Sequence, residues 1–330
     1  MLPAEKKQDQ EWIIREEAET DWSNGERPEN RDLEALLDNG LVLVDKPSGP
    51  TSHQVSQWVQ DILERDKTGH SGTLDPKVTG VLPVGLNRGT KVLQALTLAG
   101  KEYMGAMELG EEVSRDEIEE VAEEFVGTVK QVPPEKSAVK REERERDIYE
   151  LEILEVKERQ VLFRIECEKG FYVRTFCRNF GEELGVSGEM EDLRRTKVGV
   201  FDEDQLHYLQ DLKDQHKFRK EGKDNSLEDL VLPVEAGVRH LRKIIVKDSA
   251  VAAVCHGANL GTQGISKVQK GIEEGEMVAL LTLKGELVAL ANAEIESDDM
   301  VEKEGETAVD LKRVFMQKDV YPKAWRKKNG

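Results

Sequence analysis

A short stretch dense in glycine and proline restricts the backbone of this chain more than any other. Residues 68–85 read TGHSGTLDPKVTGVLPVG, with Asp75 between a Gly/Ser/Thr-rich approach and an apolar exit. Pro76 fixes its own φ and disfavours helical backbone at Asp75, while Gly72 and Gly80 permit turns and close approaches. The pattern predicts a rigid turn. Spacing alone favours an Asp that bonds its own backbone over a functional carboxylate.

Around this turn the chain alternates between short apolar segments and amphipathic ones. Residues 41–44 and 81–84 are apolar runs typical of strands, and residues 101–109 alternate as a strand. Residues 52–66 and 114–126 carry apolar side chains at helical spacing. Thr51 or Ser52 can cap the first helix, and Ser114 can cap the second. The other elements predicted here are a helix at 90–98, an amphipathic turn at 188–195 and a strand at 196–201.

Two further segments, residues 148–157 and 160–168, alternate and predict a hairpin-like pair of strands. Alternation from Phe171 predicts that Tyr172 and Arg174 lie on one face of a strand end. There Arg174 is either a surface residue or the partner of a buried carboxylate, for which Asp75 is the candidate. Beyond residue 232 the composition changes to short strands separated by glycine turns, which predicts a small β-barrel-like module.

Composition narrows the class of protein. The chain has 330 residues, 35% of them charged, with no apolar run near the ~20 residues that span a bilayer and no signal-peptide pattern at the start. We therefore predict a cytoplasmic protein. Cys167, Cys177 and Cys255 lack metal-ligand spacing and are predicted to be reduced thiols in the core.

The net charge of −19 is unevenly distributed. Residues 1–40, 111–124 and 286–310 together carry −22, so the remainder carries +3. Acid is thus concentrated away from the motifs, and the charge does not exclude a nucleic-acid partner. Because molar salt shortens the Debye length to about 3 Å, such acidity suits a saline cytoplasm, and we predict a halophilic source.

Five motifs occur in a fixed order, followed by a sixth pattern. They are DKPSGPTSHQV at 45–55, TGHSGTLDPKVTGVLPV at 68–84, KEY at 101–103, CEKGFYVRTFCRNFG at 167–181, LRRTKVG at 193–199, and KDSAVAAVCHGANL with the glycine-containing strands after it. This set resembles the tRNA pseudouridine synthase B family, most closely its dyskerin-type archaeal and eukaryotic branch, the catalytic subunits of H/ACA guide ribonucleoproteins. The last pattern resembles a PUA RNA-binding domain.

The resemblance implies an α+β fold: a mixed, largely antiparallel catalytic sheet flanked by helices, plus a small β-barrel-like PUA domain. The implied divisions are an acidic arm at 1–40, a catalytic domain at 41–235, a PUA domain at 241–317 and a basic tail at 318–330. Asp75 matches the catalytic aspartate, Tyr103 the tyrosine that packs on the target base and assists proton removal, and Arg174 the arginine that pairs with the acid.

Other site residues follow from the same resemblance. The matches around the substrate are Lys46 and Pro47 as support, His70 near the flipped nucleotide, and Tyr172 and Leu193 as walls of the base pocket. In the PUA domain, Gly257, Ala258, Leu260 and Gly264 match the segment that lies against RNA. The basic loop with Lys136, Lys140 and Arg141 resembles the substrate-gripping thumb, although interleaved acids weaken that assignment.

The implied activity is isomerisation of uridine to pseudouridine in rRNA or tRNA, without metal or redox cofactor. Implied partners are an H/ACA guide RNA, small accessory proteins and a kink-turn-binding ribosomal-type protein, with no membrane. Alternatives are a guide-independent synthase acting on the tRNA T-arm and a non-catalytic RNA scaffold with the same fold. A hydrolase using Asp75 is disfavoured because no second catalytic carboxylate accompanies it.

Overall fold

The computed structural model describes Leu2, residues 11–133 and residues 142–323. In this part of the chain the strands are β1 Trp12–Ile14, β2 Gly40–Lys46, β3 Thr68–His70, β4 Thr79–Leu86, β5 Lys101–Leu109, β6 Gly127–Gln131, β7 Arg144–Lys157, β8 Gln160–Cys167, β9 Gly188–Val198, β10 Leu232–Pro233, β11 Arg242–Val246, β12 Leu260–Gly261, β13 Ile265–Gln269, β14 Met277–Thr282, β15 Leu287–Ala293 and β16 Thr307–Val314. The α-helices are α1 Leu33–Asp38, α2 Ser52–Leu63, α3 Leu93–Leu98, α4 Arg115–Phe125, α5 Val173–Glu183, α6 Leu209–Lys220, α7 Asp248–Cys255 and α8 Ser297–Glu302.

The first sheet has a seam between two halves. Its order is β10-β2-β4-β9-β5-β8-β7-β6, and β3 also pairs with β4, on the edge opposite β2. Every pairing is antiparallel except β4 with β9, which is parallel and pairs Thr79 with Arg194 and Gly80 with Arg195. The short parallel contact therefore joins the half that carries Asp75 to the half that carries Tyr103.

Helices cover the apolar faces of this sheet because their own apolar stripes need burial. Thr51 caps α2 and Ser114 caps α4, each in a capping box. A buried cluster between α4, α5 and the sheet contains Ile118, Phe163 and Phe176. The two predicted helix starts are thus confirmed, and both depend on a hydroxyl satisfying a free N–H group at the helix end.

The second sheet belongs to the C-terminal module and includes the N-terminal arm. Its order is β1-β13-β11-β14-β15-β16-β12. In the arm, Trp12–Ile14 pairs with residues 267–269 of β13, and Arg15 donates to the carbonyl of Met300 at 2.9 Å. The Lys284 ammonium donates to the carbonyls of Asp21 and Asn24. These contacts attach the arm along the C-terminal module.

The two sheets share an apolar contact. Side chains from β14, β15 and the end of β16 pack against the first sheet and its neighbouring helices in one buried cluster. Members from the C-terminal side are Ala279, Leu287, Leu290 and Phe315, and members from the first sheet's side include Leu41, Val92, Leu96 and Phe201. Because these side chains are at most 7% exposed, the two modules form a continuous core.

The predicted fold class is confirmed, and so are the strand at Lys101–Leu109 and the three buried, unpaired cysteines. Three local predictions were wrong. Residues 188–198 form one strand rather than a turn and a strand, and the helix at 90–98 begins as a 3-10 turn. Residues 173–183 form α5 rather than a strand end, because Val173, Phe176, Cys177 and Phe180 give a buried helical stripe.

Tyr321 falls within the segment predicted as a tail. Its ring is 1% exposed and lies in the core of the C-terminal module. Its hydroxyl donates to Glu286 at 2.6 Å. The described part of this segment is therefore packed as an extension of the module.

Candidate active site

Asp75 stands on a turn whose main chain is bonded on both sides. Ser52, at the start of α2, accepts from the Leu74 N–H at 2.8 Å and donates to the Leu74 carbonyl at 3.1 Å. The Val78 N–H donates to the Asp75 carbonyl at 3.0 Å, and the Gly49 N–H donates to the Pro76 carbonyl at 2.9 Å. Asp75 can therefore lie in a rigid turn and still have a functional carboxylate, because hydrogen bonds to the main chain, and not the Asp75 carboxylate, stabilise the turn.

Lys46 lies beneath this turn and is fully buried. Its ammonium donates to the carbonyls of Pro47 at 2.9 Å, Pro76 at 2.9 Å and Val78 at 2.8 Å. Burial lowers the pKa of Lys46, and the nearby Asp75 carboxylate opposes that shift. Lys46 is thus a buried anchor for the loop, while Pro47 beside it is exposed.

The guanidinium of Arg174 and the carboxylate of Asp75 form an ion pair. Arg174 Nη2 donates to Asp75 Oδ2 at 2.6 Å, and the two side chains are 57% and 56% exposed. The predicted pairing is present, but the prediction of a buried carboxylate was wrong. The turn projects Asp75 outward, so the pair is accessible to a macromolecular substrate.

Tyr103 faces the same region from β5. It pairs with Arg195 on one side and Ile165 on the other, in register with Gly105 opposite Leu193. Burial raises the pKa of the Tyr103 hydroxyl above its ordinary value, and the Arg195 guanidinium opposes that shift. Tyr103 packs at the edge of the same apolar cluster that buries Leu74, the residue directly before Asp75.

Arg195 is a site residue that the sequence reasoning missed. Its side chain is 1% exposed, and its guanidinium donates to the carbonyls of Val81 at 2.8 Å, Gly72 at 3.2 Å and Ser71 at 3.4 Å. A signal existed in LRRTKVG. Because alternate strand residues share a face, Leu193 pointing inward places Arg195 inward as well.

The remaining predicted pocket residues surround this centre. His70 ends β3 and is partly buried, and burial lowers its pKa. Tyr172 is the N-cap of α5, with its N–H bonded to Gln131 Oε1 at 2.9 Å. Leu193 is 7% exposed and lies in the cluster beneath Tyr103. The structure thus brings the predicted residues of this domain to one end of the seam.

A cavity of about 580 Å³ begins at Arg174 and extends along α5. Arg174 and Arg178 line one side, and the opposite side is formed by residues 186–190. The Arg178 guanidinium lies 3.7 Å from Glu182, and both side chains are more than half exposed. The groove therefore adjoins the catalytic pair through Arg174, whereas Asp75 is not among its lining residues.

The residues predicted to contact RNA elsewhere fall into two groups. In the C-terminal module, Gly257 and Ala258 are exposed just after α7, and no atom lies within 4 Å of a Cβ placed on Gly257. Leu260 is buried, and Gly264 lies against it, because a Cβ there would be 2.6 Å from Leu260 Cδ1. Lys136, Lys140 and Arg141 of the predicted thumb lie outside the described residues.

Basic side chains also converge where the two modules meet. Lys91 donates to the carbonyl of Val314 at 3.3 Å. Burial and the positive charges of Arg88, Arg313 and Lys67 together lower the pKa of Lys91. Arg88 is paired with Asp38 at 2.8 Å. Lys67, Lys91 and Arg313 give this junction a local positive charge in a chain of net charge −19.

Across the described ranges 11–133 and 142–323, no group of three or more His, Cys, Asp or Glu side chains could hold a metal ion. In the same ranges no helix is long and apolar enough to cross a membrane. The chemistry available at this centre is that of one accessible carboxylate, its arginine partner and a tyrosine.

Family models match nearly the whole chain in consecutive segments. They are a DKCLD (NUC011) domain at 1–56, the N-terminal domain of TruB family pseudouridylate synthase at 60–173, the C-terminal domain of tRNA pseudouridylate synthase B at 174–239 and a PUA domain at 242–315.

Whole-chain relatives agree with these models. A probable tRNA pseudouridine synthase B of Methanocaldococcus jannaschii is 48% identical over 97% of this chain and 95% of its own length. The corresponding protein of Methanopyrus kandleri is 48% identical over 96% of this chain and 94% of its own.

Two solved structures have the same fold. A chain from a Cbf5-Nop10-Gar1 complex superposes with a TM-score of 0.93 at 47% identity, covering 98% of both chains. A chain from an H/ACA RNP bound to a substrate RNA containing 2′-deoxyuridine has a TM-score of 0.91 at 45% identity, covering 98% of this chain and 100% of that one. The chain therefore belongs to the TruB/Cbf5-type pseudouridine synthases, with a DKCLD domain before and a PUA domain after its catalytic domain.

Proposed function

We propose that this chain converts uridine to pseudouridine in RNA as the catalytic subunit of an H/ACA ribonucleoprotein. The observation that carries the proposal is the accessible Asp75–Arg174 pair at 2.6 Å, on a loop anchored by buried Lys46. Membership of the pseudouridine synthase family and the likeness to chains from Cbf5 and H/ACA complexes support it.

The reaction breaks the bond from N1 of uracil to the sugar and joins C5 to the same sugar carbon. The base must rotate between these steps, and the C5 proton leaves while N1 gains one. Asp75 acts as nucleophile or stabilises developing charge at the sugar carbon, and Arg174 holds its carboxylate in place. Tyr103 stacks on the base and assists removal of the C5 proton.

The uridine must leave its stack to reach Asp75, at a cost of a few kcal/mol. Stacking on an aromatic ring offsets about 1–3 kcal/mol of that cost, and Tyr103 is placed to provide it. Lys46 and Pro47 support the loop, and His70, Tyr172 and Leu193 enclose the base.

The rest of the RNA is held by the surfaces outside this pocket. We assign Gly257 and Ala258 to contact with the guide RNA through exposed main chain, with Leu260 and Gly264 shaping that segment. Lys91, bonded to the Val314 carbonyl where the two modules meet, and the nearby cations Lys67 and Arg313 attract the RNA backbone. Lys136, Lys140 and Arg141 complete the grip as a thumb.

The partners proposed are guide RNA, target rRNA or tRNA, and proteins corresponding to the Nop10 and Gar1 of the similar complex, together with a kink-turn-binding protein. The reaction is placed in the cytoplasm of a halophile. Loss of activity in dilute buffer and recovery in molar salt would support that setting, whereas full activity without added salt would refute it.

Guide-independent action on tRNA is the second candidate, favoured by the relatives' designation as probable tRNA pseudouridine synthases. Pseudouridine mapping separates the two. The purified chain is incubated with tRNA alone, and with guide plus target RNA, each with and without accessory proteins. Modification that requires the guide supports the first candidate, and modification of tRNA alone supports the second.

Asp75→Asn tests the chemistry in both cases. It should abolish pseudouridine formation while RNA binding persists, because the amide is nearly isosteric but carries no charge. Asp61→Asn is the matched control, because it is the same substitution at an exposed position of α2. There Asp61 accepts a hydrogen bond from Gln57 at 2.9 Å. Substantial turnover by Asp75→Asn would exclude the catalytic assignment of Asp75, whereas absence of turnover by the unsubstituted chain on all these RNAs would favour the scaffold alternative.

A further inference from the structure

We infer that Arg195 is a positioning residue that fixes Tyr103 and the Asp75 loop relative to each other across the seam of the sheet. The inference rests on the proposed roles of Asp75 and Tyr103. Neither the family resemblance nor the proposed mechanism assigns a role to the Arg195 side chain.

The proposed site residues lie on both sides of the seam, so a side chain that bonds across the seam can set their relative positions. Asp75 is carried by the loop between β3 and β4, whereas Tyr103 is on β5 and Arg174 follows β8. Asp75 thus belongs to one half of the sheet, and Tyr103 and Arg174 belong to the other. The two halves are joined by the two-residue parallel pairing of β4 with β9. The Arg194–Asp45 ion pair and the apolar cluster around Leu74 also cross the seam, but neither bonds the main chain of residues 71 and 72, which lead to Asp75.

Arg195 supplies the link from the β9 side. Its guanidinium donates to Ser71 and Gly72, in the loop that leads to Asp75, and to Val81 on β4. Arg195 is also the direct cross-strand partner of Tyr103 in the β5–β9 pairing, and its charge opposes the rise in the pKa of the Tyr103 hydroxyl. A single rigid, planar group therefore contacts both halves, and its fork geometry permits several donors to act at once.

The surroundings of Arg195 fit the guanidinium closely. A Cβ on Gly72 would be 3.1 Å from Arg195 Nη1, and a Cβ on Gly80 would be 2.1 Å from the Arg195 carbonyl oxygen. Both glycines have positive φ, +76° and +99°. The backbone of the loop and of β4 thus approaches Arg195 at two points where only glycine fits.

Burying this cation is costly, and the three hydrogen bonds named above go to carbonyls rather than to a carboxylate. Removing a charge from water costs several kcal/mol that neutral acceptors only partly recover. An apolar side chain would pack here at less cost. A functional return is the positive charge beside Tyr103, which favours the ionised phenolate of Tyr103, the form that can accept the C5 proton.

The test compares Arg195→Met, Arg195→Lys and Arg194→Met in the full chain. Arg194 is the matched control, because it is the adjacent residue of β9 but pairs with Asp45 at 2.9 Å on the other face. Single-turnover rate and RNA affinity are measured at a temperature where each variant is folded. Since the chain has five tyrosines, ¹³Cζ-tyrosine NMR reports on Tyr103, whose signal is identified by its loss in Tyr103→Phe.

Arg195→Met should lower the single-turnover rate on the order of 100-fold, leave RNA affinity unchanged and displace the Tyr103 signal. Arg195→Lys, which keeps the charge but has no fork, should lower the rate about tenfold or more and leave that signal close to its wild-type position. Arg194→Met should keep both the rate and the signal.

A wild-type rate in a folded Arg195→Met protein would overturn the inference, and so would a lowered rate with an unmoved Tyr103 signal. If Arg195→Met does not fold, Arg195→Lys decides, and a wild-type rate there refutes the positioning role. If the unsubstituted chain itself makes no pseudouridine, the proposed function fails. The Tyr103 signal then still tests the contact.

Discussion

Replacing Gly80 with Ala should break the seam of the catalytic sheet. Gly80 has φ +99°, and a Cβ there would be 2.1 Å from the Arg195 carbonyl oxygen, 2.9 Å from its carbonyl carbon and 3.0 Å from its nitrogen. All three atoms are main chain, so no side-chain rotation relieves the contact. The strands β4 and β9 would have to separate by about 1 Å to reach ordinary contact distance.

The expected cost has two parts. Positive φ in a residue with a side chain costs about 1–3 kcal/mol. Separation of the strands also stretches the bonds from Arg195 to Val81 and Gly72, now 2.8 and 3.2 Å, and each buried group left unpaired costs about 1–3 kcal/mol. The second part therefore adds about 3 kcal/mol or more, a large share of the 5–15 kcal/mol that stabilises a typical domain.

Gly127→Ala separates these two parts. Gly127 has φ +118° with no atom within 4 Å of a Cβ, so its substitution carries the backbone strain alone. The free energy of unfolding is measured by urea denaturation for both variants in the same salt. We expect Gly80→Ala to be less stable than Gly127→Ala by about 3 kcal/mol. A difference below about 1 kcal/mol would show that the seam tolerates separation, against the reasoning above.

Three other outcomes are expected. Lys46→Met removes a donor from three carbonyls, of which that of Pro76 still accepts from Gly49, and should lower the free energy of unfolding by about 2 kcal/mol, so an unchanged urea midpoint would contradict the anchoring role. Arg174→Lys should lower single-turnover rate at least tenfold but stability by less than about 1 kcal/mol, because the pair with Asp75 is over half exposed; equal activity would contradict it. Burial lowers the pKa of Lys101 to about 7 from 10.5. The unfolded chain therefore binds more protons between these pH values, and stability should rise with pH across that window and be lost towards pH 7. Urea titrations at several pH values should give a flatter profile for Lys101→Met, and identical profiles would refute the assignment.

Local patterns gave the elements of the site that depend on local interactions. The strand Lys101–Leu109, the capped starts of α2 and α4 and the apolar strand around Leu43 follow from alternation, capping and apolar runs. These signals lie within a few residues of one another, so the sequence displays them directly.

The errors arose where distant packing decides. The residues that follow Phe171 alternate between polar and apolar side chains as in a strand. The apolar stripe of α5 is recognisable only once its contacts with α4 and the sheet are known. The exposure of Asp75 depends on Ser52 and Lys46 bonding the turn from beneath. Alternation with Leu193 predicts that Arg195 faces inward, but no local pattern shows that its guanidinium bonds the carbonyls of Gly72 and Val81, which are distant in sequence.

The N-terminal arm has a consequence for biosynthesis. Trp12–Ile14 pairs with residues 267–269, so this segment cannot find its partner strand until residues 267–269, more than 250 positions later in the sequence, have left the ribosome. Lys284 similarly contacts Asp21 from near the other end of the chain, and it lies beside Tyr321. Because long loops are slow to close, we expect the arm to dock only after the catalytic sheet has formed and residues 267–269 have been synthesised. A ribosome stalled before residue 265 would therefore carry a chain whose arm is still accessible to protease.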